Sequence, residues 1–299
     1  MSNILLVAAL FPVAVLCYFI YKKDMHKEPK SLLGKLFGFG CLIVIPILIV
    51  ELLLGNFFST SKVYDFFTLF LNTFISIGIV EEGFKWIVVK KVGYDNQEFD
   101  EIYDIIVYSV FVSLGFACIE NIIYVFHNGI VTAILRALTA VPGHTCFAVI
   151  MGYFLSKSKV NDINKNGNGF MRNLLLSLFI PTLIHTFYDA ILLYASAVHS
   201  NNFIYVFYAF IIIMFCICFV IVDRISKVQS NITQNVQSGN IVYNQGVVQM
   251  NTSQINQNYL QHQTQPVANH SVGAINYCPI CGTPAHGDNF CGFCGYKLK

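Results

Sequence analysis

Seven apolar runs, each close to the ~20 residues that cross a bilayer as a helix, follow one another through the first three quarters of this chain. They cover 4–21, 34–54, 66–89, 102–126, 131–155, 173–195 and 203–222. Continuous runs of this length, without the period-2 alternation of half-buried strands, predict an all-α polytopic membrane protein. The bundle has about seven transmembrane helices and occupies residues 1–226. The first run has no basic stretch before it and its lysines follow it, which argues against a cleaved signal peptide.

The polar loops are unequal. Lys22, Lys23, Lys27, Lys30 and Lys35 follow the first run, Lys90 and Lys91 the third, and Lys157, Lys159, Lys165 and Arg172 the fifth. The alternate loops carry Lys62 alone or no Lys or Arg. Basic loops stay on the cytoplasmic side, so the N-terminus is expected outside and the C-terminus in the cytoplasm.

Composition agrees with the pattern. Of 299 residues, 56% are hydrophobic and 11% charged, against roughly 25% charged in a soluble domain. The net charge of +2 and the absence of a basic stripe leave no reason to expect nucleic acid as a partner. Six cysteines (Cys17, Cys41, Cys118, Cys146, Cys216 and Cys218) lie inside the apolar runs, where packing accounts for them.

The end of the chain changes character. Nineteen of the fifty residues from Lys227 to Asn276 are Asn or Gln, and Val228 to Gly287 contains no Asp, Glu, Lys or Arg. Too little apolar surface is present to offset ordering entropy, so 227–276 is expected to be a disordered, flexible tether. The patches beginning at Ile241 and Gly246 are where local strands would form. Residues 277–299 then carry Cys278-Pro-Ile-Cys281-Gly and, with nine residues between Cys281 and Cys291, Cys291-Gly-Phe-Cys294-Gly. Two such knuckles supply four thiolates for tetrahedral Zn²⁺. Disulfides would need an oxidising compartment, whereas this tail is expected in the cytosol. The prediction is a small four-cysteine zinc ribbon, coordinatively closed and structural, available to recruit a cytosolic partner.

Inside the membrane runs lie residues that lipid does not tolerate. An ionised group at the bilayer centre costs at least ~2.5–3.5 kcal/mol, so such groups face the bundle interior and mark function. Glu81 and Lys85 stand at i,i+4 with Glu82 beside them, so one helix offers two carboxylates and a cation. Phe116 and Glu120 form a second pair, and His144 follows Pro142-Gly143, a combination expected to loosen its helix. His185 and Asp189 are again i,i+4, the spacing at which a carboxylate orients an imidazole or shares a metal. Glu81, His144 and His185 fall near mid-membrane by residue count, with Glu120 nearer the outer side. Carboxylates and imidazoles at one depth can activate water and stabilise the oxyanion that develops, with or without a metal. A proton-coupled transporter and a non-catalytic scaffold or sensor are the competing classes.

In this order on successive helices, EExxK (Glu81, Glu82, Lys85), FxxxE (Phe116, Glu120), the PGH-containing helix (His144) and HxxYD (His185, Asp189) resemble the PrsW family of intramembrane proteases. That family is similar to the wider group containing type II CAAX prenyl proteases. Those show FxxxH where this chain has Glu120, so prenyl specificity is not expected. The resemblance covers roughly 66–195. It implies a membrane-anchored protein substrate of the anti-sigma-factor kind and Glu81 or Glu82 as the water-activating base. It further implies Glu120, His144 and His185 either as ligands of a second divalent metal or as oxyanion partners without one, Asp189 in support, and Lys85 holding a carboxylate ionised.

Overall fold

The computed structural model describes residues 2–24, 26–57, 65–96, 101–163, 166–237, 241–244 and 247–250, together with Cys278 and Cys291. The helices are α1 (Ser2–Lys23), α2 (Lys30–Leu42), α3 (Val44–Phe57), α4 (Phe66–Thr73), α5 (Ile79–Val88), α6 (Asp104–Asn128), α7 (Ile130–Leu138), α8 (Ala140–Ile163), α9 (Gly167–Ala197) and α10 (Asn201–Gln237). They build seven spans long and apolar enough to cross a membrane, among them Lys30–Gly55 from α2 and α3, Phe66–Tyr94 around α5, and Ile130–Asp162 from α7 and α8. The bundle is that of an all-helical, multi-pass membrane protein, as its hydropathy predicts.

α6 is the central pillar. Of its most apolar stretch 78% is buried, against 22% for the spans of α1 and α10, whose Phe11, Ile212 and Phe219 face outward as lipid contact requires. Without a hydrophobic drive between helices in lipid, close backbone approach is what holds them together, and small residues permit it. A Cβ on Gly40 of α2 would collide with the Val112 carbonyl of α6, and one on Gly115 with the Phe37 carbonyl. These reciprocal glycines let α2 and α6 meet backbone to backbone. The cysteines in the spans also pack: Cys41 Sγ lies 3.3 Å from the Gly115 carbonyl and Cys218 Sγ 3.6 Å from that of Cys146.

α5 is framed by two wide π-helical turns, Phe74–Gly78 and Val89–Tyr94, a local geometry that often accompanies functional sites. It packs on α9, with Trp86 Nε1 donating to Ser177 Oγ at 2.8 Å.

Two expectations are corrected. The fifth apolar run does not form one helix loosened at Pro142-Gly143. It breaks earlier, at Thr139, and α8 starts afresh at Ala140. Pro142 therefore sits in a first turn, where its missing N–H is not needed, and Gly143 N bonds Thr139 O at 2.8 Å. At the far end, the stretch expected to be disordered from 227 carries α10 on to Gln237. It then forms an antiparallel hairpin, β1 (Ile241–Asn244) against β2 (Val247–Met250), with Ile241 opposite Met250. The patches at 241 and 246 thus include strands, since consecutive β-branched and aromatic residues favour a pleated ladder. The remainder of the tether and the zinc ribbon lie outside the described residues, apart from the buried Cys278 and Cys291.

Candidate active site

One turn of α5 holds three buried ionisable groups. Glu82 is fully buried, Lys85 1% and Glu81 5% exposed. The Lys85 ammonium donates to Glu81 Oε2 at 2.8 Å and to Glu82 Oε1 at 2.9 Å. It also lies 4.1 Å from the centroid of the Phe116 ring, a cation–π contact strengthened by desolvation. Phe116 of the FxxxE pair thus serves the α5 lysine directly.

α9 brings the first imidazole. His185 Nδ1 lies 2.9 Å from Glu82 Oε1, and Nε2 lies 3.3 Å from Asp189 Oδ2 and 3.9 Å from Glu81 Oε2. Both ring nitrogens therefore face carboxylates. The ring stacks on Phe147, centroids 4.6 Å apart and planes 21° apart, which fixes its plane as well as its edges. The approach depends on Gly78: a Cβ there would collide with Thr186 Oγ1, next to His185.

α8 supplies the second imidazole. Lys85 Nζ lies 3.3 Å from His144 Nδ1 and Glu120 Oε2 2.9 Å from His144 Nε2. Since an ammonium can only donate, Nδ1 accepts and Nε2 carries the proton, donating it to Glu120. Ser113 Oγ on α6 donates to the His144 carbonyl at 2.9 Å, tying the start of α8 to the pillar. Glu120 Oε2 also receives Arg136 Nη2 at 2.7 Å, while Arg136 Nε donates to Asn121 at 2.9 Å.

A cavity of about 550 Å³ opens onto this cluster. Glu81, Glu120, His144, His185 and Asp189 line it, along with Phe116, Phe147 and Tyr188. Glu82 and Lys85 do not appear on its wall; they stand behind Glu81 and His185. Five of the seven residues singled out in the membrane runs thus share one cavity, and the other two support it from beneath. His127, in the last turn of α6, and His199, in the turn after α9, are exposed and stand apart from the cavity.

Two further charged residues line the same cavity and were passed over in the sequence. Arg136 of α7 and Glu51 of α3 both lie within apolar spans, where any ionisable group signals function. That signal was available. Glu51 Oε1 is buried with no hydrogen-bond partner among the described residues.

The same cluster passes a donor test for a divalent metal. Ligand atoms of Glu81, Glu82, His144 and His185 all lie within 4.8 Å of one another, a mixed N,O set suited to zinc and its neighbours. Glu82 Oε2, buried among them, has no hydrogen-bond partner among the described residues. Glu120, expected among the ligands, is outside this group because its carboxylate is turned onto Arg136 and the far side of His144. The ammonium of Lys85 is the internal rival for such an ion, since it touches three of the four donors.

Comparison with known proteins follows the same outline. The chain is 39% identical over 188 residues to "Protease PrsW" of Oceanobacillus iheyensis, covering 63% of this chain and 82% of that one. It is 40% identical over 184 residues to the protein of that name in Geobacillus kaustophilus, covering 60% and 76%. With the Bacillus subtilis protein of the same name it shares 35% over 187 residues, covering 60% and 78%. No solved structure matches it. The sequence model described as "PrsW family intramembrane metalloprotease" matches residues 28–219, which include every membrane residue of the cluster and stop short of the Asn/Gln-rich tail. A multi-pass membrane protease built around buried carboxylates and imidazoles, this chain belongs to the PrsW family.

Proposed function

We propose that the cavity hydrolyses a peptide bond of a membrane-anchored substrate, with Glu81 as the base that takes a proton from the attacking water. The observation that carries this assignment is the division between the two glutamates. Glu81 and His185 line the cavity, while Glu82 and Lys85 support them from behind. Lys85 engages Oε2 of Glu81, which leaves Oε1 as the oxygen to meet a water. Placing a carboxylate base within hydrogen-bond reach of water contributes ~10²–10⁴-fold.

His185 is held by Glu82 at Nδ1 and by Asp189 at Nε2, so its Nε2–H meets an oxyanion or protonates the leaving amine by exchanging Asp189, which also lines the cavity, for substrate. With Lys85 at Nδ1 and Glu120 at Nε2, His144 acts as a brace between them, and Nδ1 is the nitrogen that would pass from Lys85 to a metal. Arg136 holds Glu120 in that brace and presents positive charge at the cavity wall. Phe147 and Tyr188 give the cavity apolar wall beside the ion pairs, and low polarity there strengthens each of these interactions. A divalent metal held by Glu81, Glu82, His144 and His185 would supply Lewis acidity toward water and the peptide carbonyl.

Family membership favours the protease over a transporter or a passive scaffold. In the finer picture the substrates are membrane-anchored regulators of the anti-sigma-factor type, the N-terminus is outside, and Cys278, Cys281, Cys291 and Cys294 fold a cytosolic zinc ribbon that recruits a partner. The experiment is to reconstitute the full chain with a single-span substrate in liposomes and follow cleavage in Glu82→Gln and His185→Asn variants beside the wild type. Loss of cleavage in both, with helical content retained, supports the proposal. Wild-type cleavage in both, or proton-coupled uptake without cleavage, defeats it.

A further inference from the structure

A second concavity, of about 440 Å³, lies between α1 and α2 and shares no residue with the catalytic cavity. Its walls are Tyr18 and Tyr21 of α1, Gly34 and Phe37 of α2, and Phe111 of α6, with Lys30 as its cation. From Lys30 to Phe37 is about 10 Å along α2 at ~1.5 Å per residue, so the slot runs from a membrane face into the acyl region.

Lys30 is the charged residue on its wall, and the Lys22 ammonium lies 6.0 Å from the ring of Tyr18, another wall residue. The nearby acids do not offset them at the surface: Asp24 and Glu28 are 3% and 4% exposed, and Glu28 is turned inward to accept from Tyr108 Oη at 2.8 Å. Lys27 is spent on α1 carbonyls, at 2.7 Å from Tyr21 O and 3.1 Å from Lys22 O. α2 begins after Pro29 with no side-chain cap on its first turn; the Pro29 carbonyl takes the N–H groups of Leu32 and Leu33, and the positive end of the helix lies at Lys30. A lysine at the start of a helix above an apolar slot matches a phosphate carrying an acyl chain.

We propose that this groove binds an anionic diacyl phospholipid, its phosphate at Lys30 and one acyl chain against Gly34 and Phe37. Gly34 gives the slot its depth. A Cβ there meets nothing within 4 Å, so a larger side chain enters the slot without straining the helix.

The test is native mass spectrometry of the full chain in mild detergent, titrated with phosphatidylglycerol or phosphatidylethanolamine of identical acyl chains. Wild type should retain phosphatidylglycerol at about five-fold lower concentration, the increment expected of one lysine near a headgroup. Lys30→Gln should abolish that preference, and Gly34→Phe should weaken both lipids about ten-fold if one acyl chain is excluded. Lys30 is exposed, so its variant reports even if Gly34→Phe folds poorly. Equal retention of the two lipids by wild type, retention of neither, or an unchanged preference in Lys30→Gln overturns the proposal. Competition by inorganic phosphate alone at matched concentration does the same, since it would mark a free-anion site.

Discussion

Glu82 Oε1 lies 2.9 Å from His185 Nδ1, linking positions 103 residues apart. The contact joins α5 to α9 at the level of the cavity and sets the edge of the imidazole that faces it. Glu82 is fully buried, so it orients groups that touch substrate while making no contact of its own. Glu82→Gln should retain the fold and lose ~10–100-fold in cleavage rate, the usual cost of an orienting partner. The check is a kcat and KM determination in liposomes, with the loss falling on kcat.

Lys85 is the counter-charge for two buried carboxylates. Lys85→Met would leave Glu81 and Glu82 facing each other without a cation, and breaking a buried ion pair costs about 3–5 kcal/mol. A thermal melt should therefore show a large fall in midpoint. Lys85→Arg should recover little, because the planar fork does not fit three acceptors around one ammonium. Equal stability of Lys85→Met and wild type would mean that Lys85 is not the local counter-charge.

Gly78 sets the distance between α5 and α9. Gly78→Ala forces a Cβ onto Thr186 Oγ1, and overpacking of this kind costs about 1–3 kcal/mol. Adding Thr186→Ala makes room and should restore most of both stability and cleavage. A double mutant no better than Gly78→Ala would show that the close approach is not what matters there.

Arg136 acts through Glu120. The two side chains are 14% and 20% exposed, so the pair is partly screened and its removal should cost modestly, about 1–2 kcal/mol. The sharper effect of Arg136→Met should be a fall in kcat as Glu120 ceases to hold His144, with Arg136→Lys restoring part of it. If stability falls and kcat does not, Arg136 is a structural pair and no more.

Much of this was legible in the sequence, and the failures have physical causes. The seven spans follow from hydropathy because lipid imposes one length and one secondary structure on each crossing. The pairs Glu81/Lys85 and His185/Asp189 were readable because helical periodicity alone brings i and i+4 together. The meeting of Glu82 with His185 was not, since it depends on a glycine at 78 opposite a threonine at 186. Arg136 and Glu51 were missed although each is an ionisable residue in an apolar run, the same signal that marked Glu81 and Glu120. Pro142 was misread because a proline in a helix's first turn and one in its interior look alike until the boundary at Thr139 is known. The length of α10 was underestimated because hydropathy does not follow a helix once it leaves the membrane, and the helix-forming Gln residues there were read with Asn as a polar tract.

The most direct measurement is the cleavage rate of Glu81→Gln set beside Glu51→Gln, each in the full chain, reconstituted with a single-span substrate. Both glutamates line the cavity, yet Glu81 alone is held by Lys85 beside His185. Glu81→Gln should be slowed at least about 10³-fold, toward the upper range for a lost general base, while Glu51→Gln stays within about ten-fold of wild type. A Glu81→Gln protein that is folded and cleaves at the wild-type rate would contradict the account.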